Sequence, residues 1–322
     1  MHIRRSVTKL ALVVSAATVL TLIALLPVTP AQAQEKVVRI GFQKYGKLVL
    51  LKSKGTLEQK LKALGYTVTW TEFQFGPPLL EAINVGAIDF GNTGETPPVF
   101  AQAAGAPIRY VAYEPPAQKG EAILVPKDSP LKGVTDLKGK KVAVAKGSNA
   151  HYLLVKALEK AGLKYEDITP VFLTPADARA AFSTGAVDAW SIWDPFQAAA
   201  EVTLEARTLT DGTGIVPNTQ FYLSSQRFLE GEPKVLDALL DGLREVDQWA
   251  KTDIHAVAEQ LSPSVGLPVP IIETALKRQS YGIKPIDSQV LVDQQKIADT
   301  LFQLKLIPKE VRVSDIARKS GS

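Results

Sequence analysis

No cysteine occurs among the 322 residues. That excludes a disulfide framework, thiolate metal sites, a cysteine nucleophile and a lipid-bearing N-terminal cysteine. Three histidines are too few to suggest a multi-histidine metal site, so neither metal nor cofactor is expected. A surplus of one charge is also missing once the start of the chain is set aside. Arg4, Arg5 and Lys9 are the only charged residues of 1–33, and without them 34 Lys and Arg face 33 Asp and Glu. No basic surface for nucleic acid or an anionic membrane is implied. Also absent are the Gly-x-Ser-x-Gly, His-Glu-x-x-His, Gly-x-x-x-x-Gly-Lys and Gly-x-Gly-x-x-Gly patterns of common catalytic and nucleotide sites. Together these absences favour binding over chemistry. What remains is an ordinary globular composition, 46% hydrophobic and 22% charged, long enough for two domains.

The one long uncharged run lies at the start. Residues 10–34 carry no charge, 10–26 are mostly Leu, Ala and Val, and Pro27 and Pro30 then break the run before Ala31-Gln32-Ala33. A basic start, a short apolar core and a small-x-small end predict a secretory signal peptide, residues 1–33, cleaved after Ala33. The mature chain is then exported to the periplasm, and no later segment is long and apolar enough to span a bilayer.

The mature chain alternates strand and helix patterns. Strands are expected near 37–42, 66–72, 87–90, 108–113, 122–125, 141–145, 171–173, 187–192 and 221–223. Helices are expected at 48–64, 77–85, 96–104, 150–161 and 175–184, several of them stopped by glycine, and beyond residue 223 the chain reads as helical. This is an α/β pattern with mostly parallel sheets. Ala82-Ile-Asn-Val-Gly-Ala-Ile-Asp89 is echoed by Ala181-Phe-Ser-Thr-Gly-Ala-Val-Asp188. Each copy leads into a helix start, Thr96 before Pro97 and Asp194 before Pro195, with Thr or Asp expected as the N-cap. Two similar lobes are inferred, with the ligand cleft between them at the carboxyl ends of the parallel strands.

Four loops point polar groups at that cleft: 43–46, 92–96, 146–149 and 193–194. Each leads into a helix whose free N–H groups and positive dipole end suit an anion. Gln43, Thr93, Thr96, Ser148 and Asn149 add neutral hydrogen-bonding groups. Trp190 reads as core, while Trp193, three residues further along the strand, faces the other way and reads as a pocket wall. His151 is either structural or part of the anion loop, and His255 reads as surface.

The stretches 79–89, 93–105, 134–140 with Lys146-Gly147-Ser148, 175–182 and 187–195 closely resemble the aliphatic sulfonate-binding proteins of ABC importers. Thr93-Gly94-Glu95-Thr96-Pro97-Pro98 and Trp193-Asp194-Pro195 are the most specific of them. Taurine-, nitrate- and thiamine-precursor-binding proteins look similar but less so. Desulfinase enzymes of the same fold resemble the chain too, but use a cysteine that it lacks. The resemblance implies a two-lobe type II periplasmic binding protein with crossover strands near 121–126 and 220–224. Lobe 1 would comprise 34–122 with 222–322, and lobe 2 would comprise 123–221. It implies an alkanesulfonate ligand, a membrane permease and an ATPase as partners, and a monomeric, non-enzymatic carrier. The ligand contacts carried over are Gln43, Gly94, Glu95, Thr96, Ser148, Asn149 and Trp193; the Glu95 acid suits an anion only if it points away, or else it reaches an amine on the ligand.

Overall fold

The computed structural model describes residues 36–318, so the expected leader lies outside the described residues. Strand Lys36–Phe42 (β1) is followed by helices Lys47–Lys54 (α1) and Thr56–Lys62 (α2) and strand Tyr66–Glu72 (β2). Helix Gly76–Asn84 (α3), strand Phe90–Gly94 (β3), helix Thr96–Ala103 (α4) and strand Ile108–Glu114 (β4) complete the first run. The second run is Glu121–Val125 (β5), Lys141–Val144 (β6), Asn149–Lys160 (α5), Thr169–Phe172 (β7), Pro175–Ser183 (α6), Ala189–Trp193 (β8), Phe196–Thr203 (α7) and Arg207–Asp211 (β9). Then come strand Gln220–Ser225 (β10), helices Gln226–Gly231 (α8), Pro233–Thr252 (α9), Ile254–Val265 (α10) and Val269–Arg278 (α11), the short strand Lys284–Pro285 (β11) and helix Ser288–Gln303 (α12).

The strands form two sheets, ordered β11-β4-β10-β3-β1-β2 and β7-β6-β8-β5-β9. Each sheet with its helices is one lobe. β5 runs antiparallel to β8 and β9, and β10 antiparallel to β3 and β4, while β1 pairs parallel with β2 and β3, and β6 parallel with β7 and β8. The direction of β5 and β10 follows from the path. The chain leaves a lobe at the carboxyl ends of its parallel strands, crosses, and enters the other lobe at the same kind of end, so the entering strand must run the other way. The two crossings, 115–120 and 212–219, lie side by side. The amide of Ala117 donates to the carbonyls of Pro217 and Asn218 at 3.1 and 3.3 Å, Asn218 Nδ2 donates to Ala117 O at 2.9 Å, and the Gly212 amide donates to Gln118 O at 3.1 Å.

The sequence echo is a structural repeat. In the first copy the Ala87 amide donates to Ala82 O at 2.8 Å, Gly86 has φ +73°, and the Asp89 carboxylate accepts from the Arg39 amide at 2.9 Å. In the second the Ala186 amide donates to Ala181 O at 2.9 Å, Gly185 has φ +72°, and Asp188 accepts from the Lys141 amide at 2.8 Å. Each glycine takes a left-handed turn that a side chain would strain. Each aspartate ties that turn to the start of the neighbouring strand. On α9, Leu236, Leu239, Leu240, Leu243 and Val246 are all buried, as their helical spacing predicts.

Several expectations need correcting. The single helix expected at 48–64 is two, because Gly55 adopts φ +67° and its amide turns back onto Leu51 and Lys52 O. The strand expected at 87–90 starts only at Phe90, since the Ala87 and Ile88 amides are spent on Ala82 O in the turn, and it continues to Gly94. β9 and β11 were not expected; β9, Arg-Thr-Leu-Thr-Asp, is a largely polar edge strand. Thr96 is not an N-cap but the first residue of α4, and Glu95 precedes it without a capping side-chain bond. The N-cap of α7 is Pro195, although the Asp194 carboxylate still takes the Ala198 amide at 3.0 Å.

Candidate ligand-binding cleft

A pocket with about 460 Å³ of empty space, partly open to solvent, lies where the two lobes meet. The first lobe supplies Gln43, Tyr45, Gly76, Asn92, Gly94 and Pro97, with Gln220 from β10. The second lobe supplies Ser148, Asn149 and Trp193, and the crossings supply Gly120 and Asn218. Five of the seven expected contacts, Gln43, Gly94, Ser148, Asn149 and Trp193, therefore come together. Glu95 and Thr96 do not line the pocket.

Glu95 faces away from it. Its carboxylate is fully buried and accepts the amides of Asn218 and Thr219 at 3.2 and 2.6 Å, so it anchors the returning crossing and meets no ligand amine. Burial pushes its carboxyl up to about 7, against the pull of those two amides. Glu121, at the start of β5, is buried with both carboxylate oxygens unpartnered. Burial, and after it the nearby Glu95, hold its carboxyl well above the usual range. No side chain on the pocket wall is a carboxylate, a lysine or an arginine.

The helix starts differ in what they offer. α4 has prolines at its second and third positions, and proline has no N–H. The Thr96 amide that remains donates across the cleft to Asn149 Oδ1 at 3.0 Å, and Asn149 Nδ2 donates to Asn218 Oδ1 at 2.8 Å. Asn149 thus bridges the lobes as well as lining the pocket. At α5 the Ser148 hydroxyl donates to Ala145 O at 2.7 Å and accepts the His151 amide at 3.3 Å. Its hydrogen is spent on the backbone, so the expected Ser148 donor to an anion is replaced by the helix end it caps. The amides of Asn149 and Ala150, in the first turn, point out of that end. Beside Tyr45, α1 has Gly46 as its N-cap, with no capping side chain and no acid in its first turn, but neither Gly46 nor Lys47 lines the pocket. Trp193 is half-buried against Phe196 and forms an apolar wall, whereas Trp190 is core.

His151 is structural. It is buried, its Nδ1 accepts the Gly147 amide at 3.2 Å, and Nε2 lies 2.8 Å from Tyr165 Oη. Nδ1 is therefore bare, and the proton sits on Nε2 facing the phenol. Burial, helped by Lys146, lowers its pKa from 6.5 to about 4. The native state holds the neutral ring, so this stabilisation is complete above about pH 6.5 and is lost as pH falls toward 4. The stability of the parent over His151→Gln should therefore shrink across that window by roughly 3 kcal/mol. Urea titrations at several pH values measure it. A gap independent of pH would contradict the neutral ring. The elevated carboxyls of Glu95 and Asp194 act in the opposite sense but cancel in this difference. His255 is on the surface, as expected, paired with Glu273 and Glu259.

Sequence reasoning missed Asn218 and Gln220. Asn218 sits at φ +52° after Pro217, a turn signal that asparagine tolerates, but nothing local links it to a cleft.

Residues 77–253 match the family model described as NMT1/THI5 like. The chain is 44% identical, over 88% of its length and 89% of the relative's, to a protein of Escherichia coli K12 named as aliphatic sulfonates-binding. The alkanesulfonate-binding protein of Xanthomonas axonopodis pv. citri, solved bound to MOPS, superposes with a TM-score of 0.84 at 41% identity, covering 88% of this chain and 98% of that one. The crystal structure of the periplasmic aliphatic sulphonate-binding protein of E. coli gives 0.80 at 43% identity, covering 88% and 92%. The two-lobe fold is thus shared over nearly nine-tenths of the chain with proteins of one kind, and the chain belongs to the aliphatic sulfonate-binding family of periplasmic binding proteins.

Proposed function

We propose that this chain is the periplasmic solute-binding component of an ABC importer, that its cleft captures alkanesulfonates, and that it delivers them as a monomer to a membrane permease driven by an ATPase. The lobe boundaries expected at 122/123 and 221/222 are placed instead at the crossings, so that β5 falls whole in lobe 2 and β10 whole in lobe 1. The observation that carries the reading is the pocket wall: no ionised side chain, the acid-free start of α5 at Ser148 and Asn149, and one indole face. A sulfonate keeps its single negative charge at any physiological pH and has no proton to give. Neutral donors and helix ends hold such a head without a counter-charge, at about 1.5–3 kcal/mol per hydrogen bond to the anion and about 0.3–2 kcal/mol for a helix end. Gln43, Gly94, Ser148, Asn149 and Trp193 are the proposed contacts, with Ser148 acting through the helix end it caps, Gly94 and Asn149 closing the site and Trp193 against the tail. Glu95 and Thr96 act behind it.

Calorimetry on the mature chain from ethanesulfonate to octanesulfonate tests this. Affinity should climb by about 0.8 kcal/mol per methylene until the pocket fills. Trp193→Ala should weaken the long tails more than the short. A tail ending in an ammonium should bind worse than its methyl counterpart, because Glu95 is committed to the crossing and no carboxylate lines the wall. Sulfate or nitrate binding tighter than every sulfonate would refute the assignment.

Export is proposed with cleavage after Ala33. Intact-mass measurement of periplasmic protein should find Gln34 at the N-terminus, and a full-length, membrane-bound product would count against it.

A further inference from the structure

We propose that Arg278 sets the affinity of the cleft without touching what the cleft holds, as the ionic part of a clasp that keeps the two lobes shut. The inference rests on the cleft being the sulfonate site.

Arg278 ends α11 in the first lobe, and both of its ion pairs reach the second. Nη1 lies 3.4 Å from Asp194 Oδ1 and Nη2 lies 2.5 Å from Glu201 Oε2 on α7. Beside this pair, Ile271 and Ala275 of α11 pack on Ala198 and Ala199 of α7, all four at most 2% exposed. Small side chains on α7 allow that close approach. Asp194 is itself fully buried, and its amide donates to Gly120 O in the crossing at 2.9 Å. It directly follows Trp193, so the clasp also fixes the end of the strand that carries the pocket wall. Asn149 bonded to Thr96 and Asn218 is a second tie between the lobes.

The ion pairs of Arg278, the packing of α11 on α7 and the Asn149–Thr96 bond all cross the cleft and are lost when the lobes separate. Opening would strip Arg278 of both carboxylates and expose the alanine face. Contacts made only in the closed state raise its population, and apparent affinity scales with the closed fraction whatever the ligand. Arg278 is thus a positioning residue. Its loss should weaken all ligands by one common factor, unlike loss of Trp193, which discriminates by tail length.

The test is calorimetry of the mature parent, Arg278→Gln and Arg278→Lys with ethanesulfonate, pentanesulfonate and octanesulfonate. It is joined to spin-label distances between Lys62→Cys and Lys132→Cys, exposed sites on opposite lobes of a chain without native cysteine. Arg278→Gln should raise all three dissociation constants by the same factor, about tenfold or more. It should also lengthen the mean ligand-free distance, and Arg278→Lys should recover part of both. Dissociation constants within twofold of the parent with an unchanged distance would overturn the clasp, as would a loss that grows with tail length. If Arg278→Gln fails to fold, Glu201→Gln removes a partner from the partly exposed side, and its failure to give a uniform loss overturns the proposal equally. A parent that binds none of the three sulfonates fails the function instead, while the ligand-free distances still judge the clasp.

Discussion

Gly94→Ala should lower alkanesulfonate affinity by about 3 kcal/mol, on the order of a hundredfold, while leaving the ligand-free melting temperature nearly unchanged. A methyl group built on Gly94 overlaps the side-chain amide of Asn149. That amide is buried and held at both ends, by the Thr96 amide and by Asn218. It cannot step aside without giving up the bonds that tie the lobes. The methyl has no such neighbour once the lobes part, so the cost falls on closure and not on folding. Calorimetry and thermal melts of the same sample separate the two. The pair Gly94→Ala with Asn149→Ala should bind no worse than Asn149→Ala alone, since the obstacle is gone. Additive losses would show that the overlap is not the cause.

Lys47→Met should destabilise the protein by about 3–5 kcal/mol, on the order of 10 °C in melting temperature for a chain of this size. Lys47 opens α1 and is 1% exposed. Its ammonium donates to Glu114 Oε2 at 2.7 Å, Gln279 Oε1 at 2.9 Å and Ser280 O at 2.8 Å, lies 3.6 Å from Asp247, and sits 4.6 Å from the centre of the Tyr281 ring. Glu114 also accepts the Tyr222 hydroxyl at 2.6 Å. Methionine fills the volume but leaves Glu114 and Asp247 facing each other in a buried site without their cation. The network ties α1 to β4, β10, α9 and the segment after α11, so the damage is to the first lobe as a whole. Adding Glu114→Gln and Asp247→Asn should return much of the loss. A melting temperature within two or three degrees of the parent in Lys47→Met would mean that the buried pair contributes little.

The architecture was legible because its signals are local. Glycine stops after helices, apolar strand cores and the repeated Ala-Ile-Asn-Val-Gly-Ala-Ile-Asp pattern each fit within ten residues, and the chain obeys them. The α9 stripe follows from helical period alone. The errors were also local: Gly55 inside a helical pattern reads as a tolerated glycine until its left-handed φ is seen, and β9 lacks the apolar character that marks a strand. At the cleft, the loops that follow strands were found, but the roles within them were not. Glu95 adjoins the pocket in sequence yet bonds Asn218 and Thr219, more than 120 residues away. Ser148 looks like a ligand donor until Ala145 O is found to take its hydrogen. Asn218, Arg278 and the reach of Asn149 to Thr96 depend on the meeting of segments distant in the chain, which no local pattern encodes.

The paired crossings have a mechanical consequence. Two segments bonded to each other through Ala117, Gln118, Gly212, Pro217 and Asn218 bend as a ribbon. A ribbon flexes readily across its width and resists both torsion and shear. The relative movement of the lobes is thereby confined close to a single arc, and every tie across the cleft engages at the same point of that arc. One distance between the lobes then serves as the single coordinate for their opening and closing.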